Sequence, residues 1–458
     1  MKKELVLEEI YRQNKHWENA ADFLLEIDRF SFKRTVFAQL WRFIESRQIL
    51  SLVGLRRVGK TVLLRQLIKE LLPAVNSKDI FFLTFDEALI VKGAGFADYL
   101  NVYLEKIADR KNKIFIFIDE IQYVPKWQHI LKRYYDTEPN IKFIISGSSS
   151  LFIKKRTTES LAGRIYEFAL PPLDFVEYLE IKNVDTEVLE GVKKFSVQIG
   201  SKITPDQDLE HFFNSYKSRL ESHFEDYLAF GQFPEIVNET DIQIRKKYLR
   251  EAIFRKTIEY DIPRIFGIEK VEELKFLFQV IANETGSVVE IGNLARETEL
   301  DQKTLKKYLE YFEASFLVFV VYNFSKSFRK SKKSLKKVYL GSPNFYSTFH
   351  ETPKSGTALA QVGFLAENYC FLLLKKYFEY ISFYRVRQAE FDFIAANDLL
   401  QTDQFKFIEV KYRNEILNKD YRFIYREARK KSNYFFVISK NELDIKEGCA
   451  IIPIWLVR

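Results

Sequence analysis

Apolar and polar positions change period several times along the chain, and each change predicts an element. In ILSLVGLRRVGKTVLLRQLIKELL the run Ile49 to Val53 is mostly apolar, which predicts a short strand buried on both faces. A glycine-bearing loop then leads to a helical period that begins near Lys60. KIFIFIDEIQYVPKW and IKFIISGSSS repeat the buried-strand pattern, the first ending in Asp119 and Glu120 and the second in small hydroxyl residues. From about Glu180 to Ile268 the period is mostly helical and charge-rich, with FEDYLAFGQFPEIV as its clearest apolar anchor. Two further helical periods, ELKFLFQVIANETG and VEIGNLARETEL, precede DQKTLKKYLEYFEASFLVFVVYNF. There Asp301 can cap a helix that carries Leu305, Leu309 and Phe312 at helical spacing, and a β-type run follows. Near the C-terminal end GFLAENYCFLLLKKYFEY reads as a helix, and ISFYRVRQ, EFDFIAAND and FKFIEVKYRN read as strands. Residues two apart in a strand share a face, so Glu409 and Lys411 point together while Val410 faces the other way.

At 458 residues the chain exceeds one ordinary core, and domains of roughly 100 to 200 residues imply about three or four. A composition of 47% hydrophobic and 29% charged residues excludes a disordered or low-complexity chain. No run approaches the length of a membrane span, and MKKELVLEEIYRQNKHWENA lacks the apolar stretch of a signal peptide, so a cytoplasmic location is expected. Cys370 and Cys449 are far apart without metal-type spacing and read as core residues. The net charge of +8 permits an anionic partner, but where the charges sit matters more.

The loop GLRRVGKT matches GxxxxGK[ST] between a strand and a helix. Gly54 and Gly59 let backbone amides close around phosphate oxygens, with Arg56, Arg57, Val58 and Val62 completing the cradle. Lys60 reaches the terminal phosphates of ATP, and Thr61 offers its hydroxyl to Mg2+. Asp119, delivered to the carboxyl end of a buried strand, is expected to hold the same ion, and Glu120 to polarise the attacking water. Ser146 or Ser148 is placed to sense the γ-phosphate, and an ordinary serine-rich turn is the other reading of that stretch.

GLRRVGKT, IDEIQYVPKWQHILKRYYD, ISGSSSLFI, SLAGRIYEFALPPLDFVEYL and YLAFGQFPEIV together resemble the prokaryotic AAA-type ATPases that carry a C-terminal nuclease-like domain of unknown function. The resemblance implies an α/β chain: a P-loop AAA+-type core with an N-terminal arm (1–180), a helical lid (181–268), a winged helix (269–345) and a PD-(D/E)XK nuclease-like domain (346–458). The stretch 185–222 looks longer than the resemblance requires and has no assigned role. By the same resemblance Arg164 is the candidate arginine finger, acting across a subunit interface in a homo-oligomer of which a hexamer is one form. Pairing with a surface acid is its alternative reading.

The expected third helix of the winged helix exposes Lys303, Lys306 and Lys307. The wing, SKSFRKSKKSLKKVYL, adds Arg329, Lys330, Lys332, Lys333, Lys336 and Lys337, a cluster able to neutralise several DNA phosphates. A solvated charge run is the plain alternative. In the terminal module Asp392 and Glu409 resemble the metal ligands of the nuclease fold, Lys411 its water-positioning group and Glu367 an accessory acid. Hard oxygen donors suit Mg2+ or Mn2+. Three functions follow as expectations: an oligomeric ATPase that binds branched or structured DNA such as junctions or forks, an ATP-controlled metal-dependent endonuclease, and a nucleotide-dependent signalling switch with protein partners.

Overall fold

The computed structural model describes residues 2–85, 91–148, 161–325, 335–350, 359–386, 389–399, 401, 404–413, 415–429, 435–446 and 448–458. The chain divides into two compact units. The first comprises Met1–Pro171 with Arg264–Gly267 and Ala314–Phe316, and the second comprises the remainder.

The first unit is built on five parallel strands: β1 (Ile49–Val53), β2 (Ile80–Thr84), β3 (Ile114–Asp119), β4 (Ile141–Gly147) and β5 (Ile165–Ala169). Their order is β2-β3-β4-β1-β5, with every neighbouring pair parallel. β1, β3 and β4 are buried at every position, as continuous Ile, Phe, Leu and Val runs require when both faces of a sheet are covered. β5 lies at one edge and is exposed or half-exposed throughout. At the other edge the Asn14 side chain stands in for a further strand, accepting from the Phe82 amide at 2.6 Å and donating to the Phe82 carbonyl at 2.9 Å. Because all five strands run the same way, the loops after β1, β3 and β4 open on one edge of the sheet, where open α/β sheets bind ligands.

The second unit carries a nine-stranded mixed sheet. Its strands are β6 (Val288–Val289), β7 (Val318–Asn323), β8 (Lys336–Leu340), β9 (Tyr380–Val386), β10 (Ala389–Ala396), β11 (Lys406–Lys411), β12 (Phe435–Ser439), β13 (Asp444–Lys446) and β14 (Cys449–Pro453). They stand in the order β13-β14-β12-β11-β10-β9-β7-β8-β6. The segments expected as winged helix and terminal module therefore share one sheet, joined where β7 and β9 pair in parallel, Tyr322 against Ser382 and Asn323 against Phe383. The boundary expected at 345/346 runs through that common layer. Helices Val271–Asn283, Ile291–Glu297 and Gln302–Ala314 precede β7, in the order expected from the sequence.

Helix Leu359–Tyr377 packs against β8, β10 and β11. Its buried Asn368 clamps Leu340 of β8, accepting from the Leu340 amide and donating to the Leu340 carbonyl, both at 2.8 Å. That clamp sets which face of β8 meets the helix. The 185–222 stretch forms helix Thr186–Phe195 and the start of helix Gln207–Phe230. It binds residues 455–458: the Val197 amide donates to Leu456 at 2.7 Å, Arg458 donates back to Val197 at 2.9 Å, and Phe213 stacks on Trp455 at 5.8 Å. Among the described residues no helix is long and apolar enough to cross a membrane.

Candidate functional site

In the first unit the loop between β1 and helix Lys60–Leu71 takes its shape from two glycines. Gly59 has φ +99°, a left-handed backbone that disfavours any side chain. A Cβ on Gly54 would come 2.3 Å from the Leu170 carbonyl oxygen, so the loop can approach β5 only with glycine there. Val58 is buried and its carbonyl accepts from Arg34 Nη1 at 2.8 Å, while Arg34 Nη2 donates to Pro171 at the same distance. Arg34 thus braces the loop from beneath, a role that no local motif announced. Lys60 is buried and donates to the Gly54 and Leu55 carbonyls at 3.1 and 2.8 Å. Arg56 and Val62 are half-buried and Arg57 is exposed.

The carboxyl ends of β3 and β4 meet this loop. Thr61 Oγ1 donates to Asp119 Oδ2 at 2.6 Å, and Ser146 Oγ donates to the other Asp119 oxygen. Glu120 follows with φ +55°, a left-handed conformation costing about 1–2 kcal/mol in a non-glycine residue, and it turns the chain sharply after Asp119. Gln122 Nε2 donates both to Glu120 and to Ser148 Oγ, the latter at 3.0 Å. Burial holds the Glu120 carboxyl above the usual range, with the Lys60 charge opposing it and Asp119 adding to it. Adjacent hydroxyl and carboxylate oxygens from Thr61 and Asp119 are a donor set that suits Mg2+. Arg164 stands at the opposite edge, since its carbonyl accepts from the Ile49 amide at the start of β1. Its guanidinium pairs with Asp136 at 3.0 Å and lies 5.9 Å from the Tyr135 ring centroid.

The terminal module brings together all four of its expected residues. Val410 N–H donates to Asp392 Oδ2 at 2.8 Å, Asp392 N–H donates to Glu409 Oε2 at 3.4 Å, and Lys411 pairs with Glu409. Glu367 accepts from the Tyr339 hydroxyl at 2.6 Å and from Lys337 Nζ at 2.9 Å. Burial, reinforced by Asp392, pushes the Glu409 carboxyl up to about 8 and Glu367 up to about 7.

Lys337, expected on the surface as a DNA contact, is 4% exposed at its side chain and points into this crevice, so it has no phosphate within reach. β8 is buried from Lys337 to Leu340, and Lys337 shares its face with fully buried Tyr339, whose hydroxyl reaches the same Glu367 oxygen. Glu390, two residues before Asp392 on β10, joins the crevice and was also missed. Among the described residues no three His, Cys, Asp or Glu side chains are arranged to hold a metal ion. Asp392 and Glu409, the expected Mg2+ or Mn2+ ligands, each have oxygen engaged by N–H or ammonium donors.

Of the remaining expected DNA contacts, Lys303, Lys306 and Lys307 are exposed on helix Gln302–Ala314. Asp301 caps that helix, accepting from the amides of Lys303 and Thr304 at 2.9 and 3.0 Å. Lys336 is half-buried beside the Tyr322 ring, and burial followed by the nearby Lys306 charge lowers its pKa. Arg329, Lys330, Lys332 and Lys333 lie outside the described residues.

Residues 46–179, which hold these parallel strands, the glycine loop and the Thr61–Asp119 contact, match the family described as AAA domain. Residues 221–347 match a domain of unknown function (DUF8612). Two proteins of Methanocaldococcus jannaschii are similar to the chain. Uncharacterized protein MJ1544 is 29% identical over 381 residues, covering 80% of this chain and 75% of the relative. Uncharacterized protein MJ1637 is 28% identical over 352 residues, covering 73% and 70%. An uncharacterized protein of Haemophilus influenzae is 28% identical over 290 residues, covering 61% of this chain and 64% of its own length. Among solved structures, that of C. elegans PCH-2 aligns over 54% of this chain and 66% of its own at 15% identity, with a TM-score of 0.29, too low to carry an assignment.

Proposed function

We propose that the chain is an oligomeric ATPase whose second unit binds DNA, branched or structured forms such as junctions and forks being the favoured substrates. The observation that carries the DNA part is the row of exposed Lys303, Lys306 and Lys307 on helix Gln302–Ala314, with the Lys306 charge also acting on Lys336 of β8. Like charges held close repel, and an anionic backbone crossing both relieves the repulsion while releasing counterions. Lys303 and Lys307 extend the exposed basic face along the same helix.

In the ATPase reading Lys60 exchanges the Gly54 and Leu55 carbonyls for phosphate oxygens, moving one ammonium from internal acceptors to the ligand. Thr61 and Asp119 hold Mg2+, which when bound neutralises charge on the phosphates. Glu120, whose carboxyl burial holds above the usual range, takes a proton from the attacking water as general base. Gln122 keeps the carboxylate oriented and couples it to Ser148, just past the end of β4. Arg164 gives up its half-exposed Asp136 pair, which costs little, to act on a neighbour's γ-phosphate.

Electrophoretic mobility of labelled duplex, fork and four-way DNA with the full-length chain tests the reading. Retarded migration that is strongest with branched DNA and weakens steeply with salt is the expected result. ATP hydrolysis without any shift, at low salt, overturns DNA as the partner and leaves the switch with protein partners.

A further inference from the structure

The acid crevice of the second unit is built around an ammonium group. Lys337 Nζ lies 2.9 Å from Glu367 Oε1, 2.6 Å from Glu390 Oε1 and 4.0 Å from Asp392 Oδ1. These carboxylates come from two separate elements, helix Leu359–Tyr377 and β10, and the lysine from a third, β8. Its position is fixed by more than its own ion pairs. The Asn368 clamp on Leu340 sets the register of β8 against the helix, and Tyr339, on the same face, donates to the Glu367 oxygen that Lys337 also contacts. Two further acid contacts lie beside it, Asp392 Oδ2 with the Val410 amide and Glu409 with Lys411.

We propose that Lys337 is the resident cation of this crevice: its ammonium stands among Glu367, Glu390 and Asp392 where a divalent ion would have to bind, so the terminal module is a metal-free platform. A divalent ion entering would meet a positive charge already within hydrogen-bond distance of two of its ligands, and would have to expel an amine buried with them. Removing that amine while keeping its apolar stem leaves Glu367, Glu390 and Asp392 without their counter-charge and free to close on a divalent ion that they are not arranged to hold while the amine stands between them. The inference deepens the proposed DNA-binding role of the second unit, on which it rests, and Mn2+ uptake tests it without involving DNA.

Mn2+ binding to the nucleotide-free full-length chain is read from loss of the electron paramagnetic resonance signal of the free ion. Wild type, Asp392→Asn, Lys337→Met and the Lys337→Met, Asp392→Asn double variant are compared, so that weak uptake at the phosphate loop is common to all four. The expected result is equal uptake by wild type and Asp392→Asn, with about tenfold or tighter binding of one additional ion by Lys337→Met that the double variant loses. Uptake by wild type that Asp392→Asn removes overturns the proposal, and so does a cooperatively melting Lys337→Met chain that gains no ion. If Lys337→Met does not fold, wild type against Asp392→Asn decides: equal uptake sustains the resident cation, and lower uptake in the variant refutes it.

Discussion

Each unit of this protein holds carboxylates beside lysines, yet the two crevices distribute their hydrogen bonds in opposite ways. In the first, Lys60 is held by loop carbonyls, and Asp119 receives its hydrogen bonds from neutral groups, the hydroxyls of Thr61 and Ser146 and the Glu120 amide. In the second, Lys337 and Lys411 are bonded directly to the acids. Hydroxyls turn easily from donor to ligand and leave an acid's charge available to a cation, whereas ammonium groups consume that charge. Motifs that look equally acidic in sequence thus differ in whether the negative charge is already spent. That difference is the reason to expect nucleotide-dependent chemistry in one crevice and a fixed surface in the other.

The largest effect should follow from Lys60→Ala, which removes the phosphate loop's charge and should abolish ATP hydrolysis together with tight nucleotide binding. Glu120→Gln should also stall hydrolysis, by about 10²- to 10⁴-fold, while ATP still binds. Filter binding and phosphate release separate the two phenotypes. Normal turnover in both variants would show the first crevice to be as closed as the second. Arg164→Ala should come next, at about 10³-fold in turnover with nucleotide affinity spared, since a finger acts on the transition state. Mixing it with the Lys60→Ala chain should restore some activity. No rescue under conditions where subunits demonstrably exchange argues that Arg164 serves only its Asp136 pair.

The first crevice was legible in the sequence because its parts are local. Strand, loop and helix follow within one short stretch, and the pattern of Gly54, Gly59, Lys60 and Thr61 carries its geometry with it. Asp119 and Glu120 were equally readable at the end of a buried run. Lys337 was not, because it sits in a basic stretch whose composition reads as surface. The signal that could have placed it is its i, i+2 relation to Tyr339, and a similar relation on β10 joins Glu390 to Asp392. Which residues face each other across β8, β10 and helix Leu359–Tyr377 depends on the β7–β9 pairing and on the Asn368 clamp, contacts between distant segments that no periodicity encodes. The bracing of the phosphate loop by Arg34 was hidden for the same reason.

A smaller effect tests the distinction between Lys336 and Lys337, adjacent in sequence and opposite in facing. Replacing Lys303, Lys306, Lys307 and Lys336 with glutamine should weaken binding to all DNA sequences and reduce the salt slope by about 0.9 for each phosphate left without its lysine. A folded Lys337→Met chain should keep the wild-type slope, because its amine is buried among acids rather than exposed to phosphates. A drop in slope for Lys337→Met equal to that from a surface lysine would mean that the strand turns outward when DNA binds. Fluorescence anisotropy of a labelled fork across a salt series reads both.

The smallest effect concerns stability and probes how the second crevice balances its remaining charge. Four acids, Glu367, Glu390, Asp392 and Glu409, face two lysines, and Glu409, 1% exposed, is pushed by burial and by Asp392 from 4.5 up to about 8. Between those values the folded chain holds a proton on Glu409 that the unfolded chain has released. Stability from this group is therefore fully present below pH 4.5 and is lost as pH rises through about 8, with a slope of up to about 1.4 kcal/mol per pH unit. Glu409→Gln mimics the protonated form and should remove one proton's worth of that slope, leaving the contribution of Glu367. Urea unfolding of the full-length chain, followed across the pH range for the transition of the second unit, measures the difference. Identical slopes in wild type and variant would mean that Glu409 is ionised throughout, and hence that Lys411 alone satisfies it. A flatter variant would instead show that protons take up the charge left over by the lysines, the complement of the hydroxyl-lined first crevice, where that charge is left for a cation.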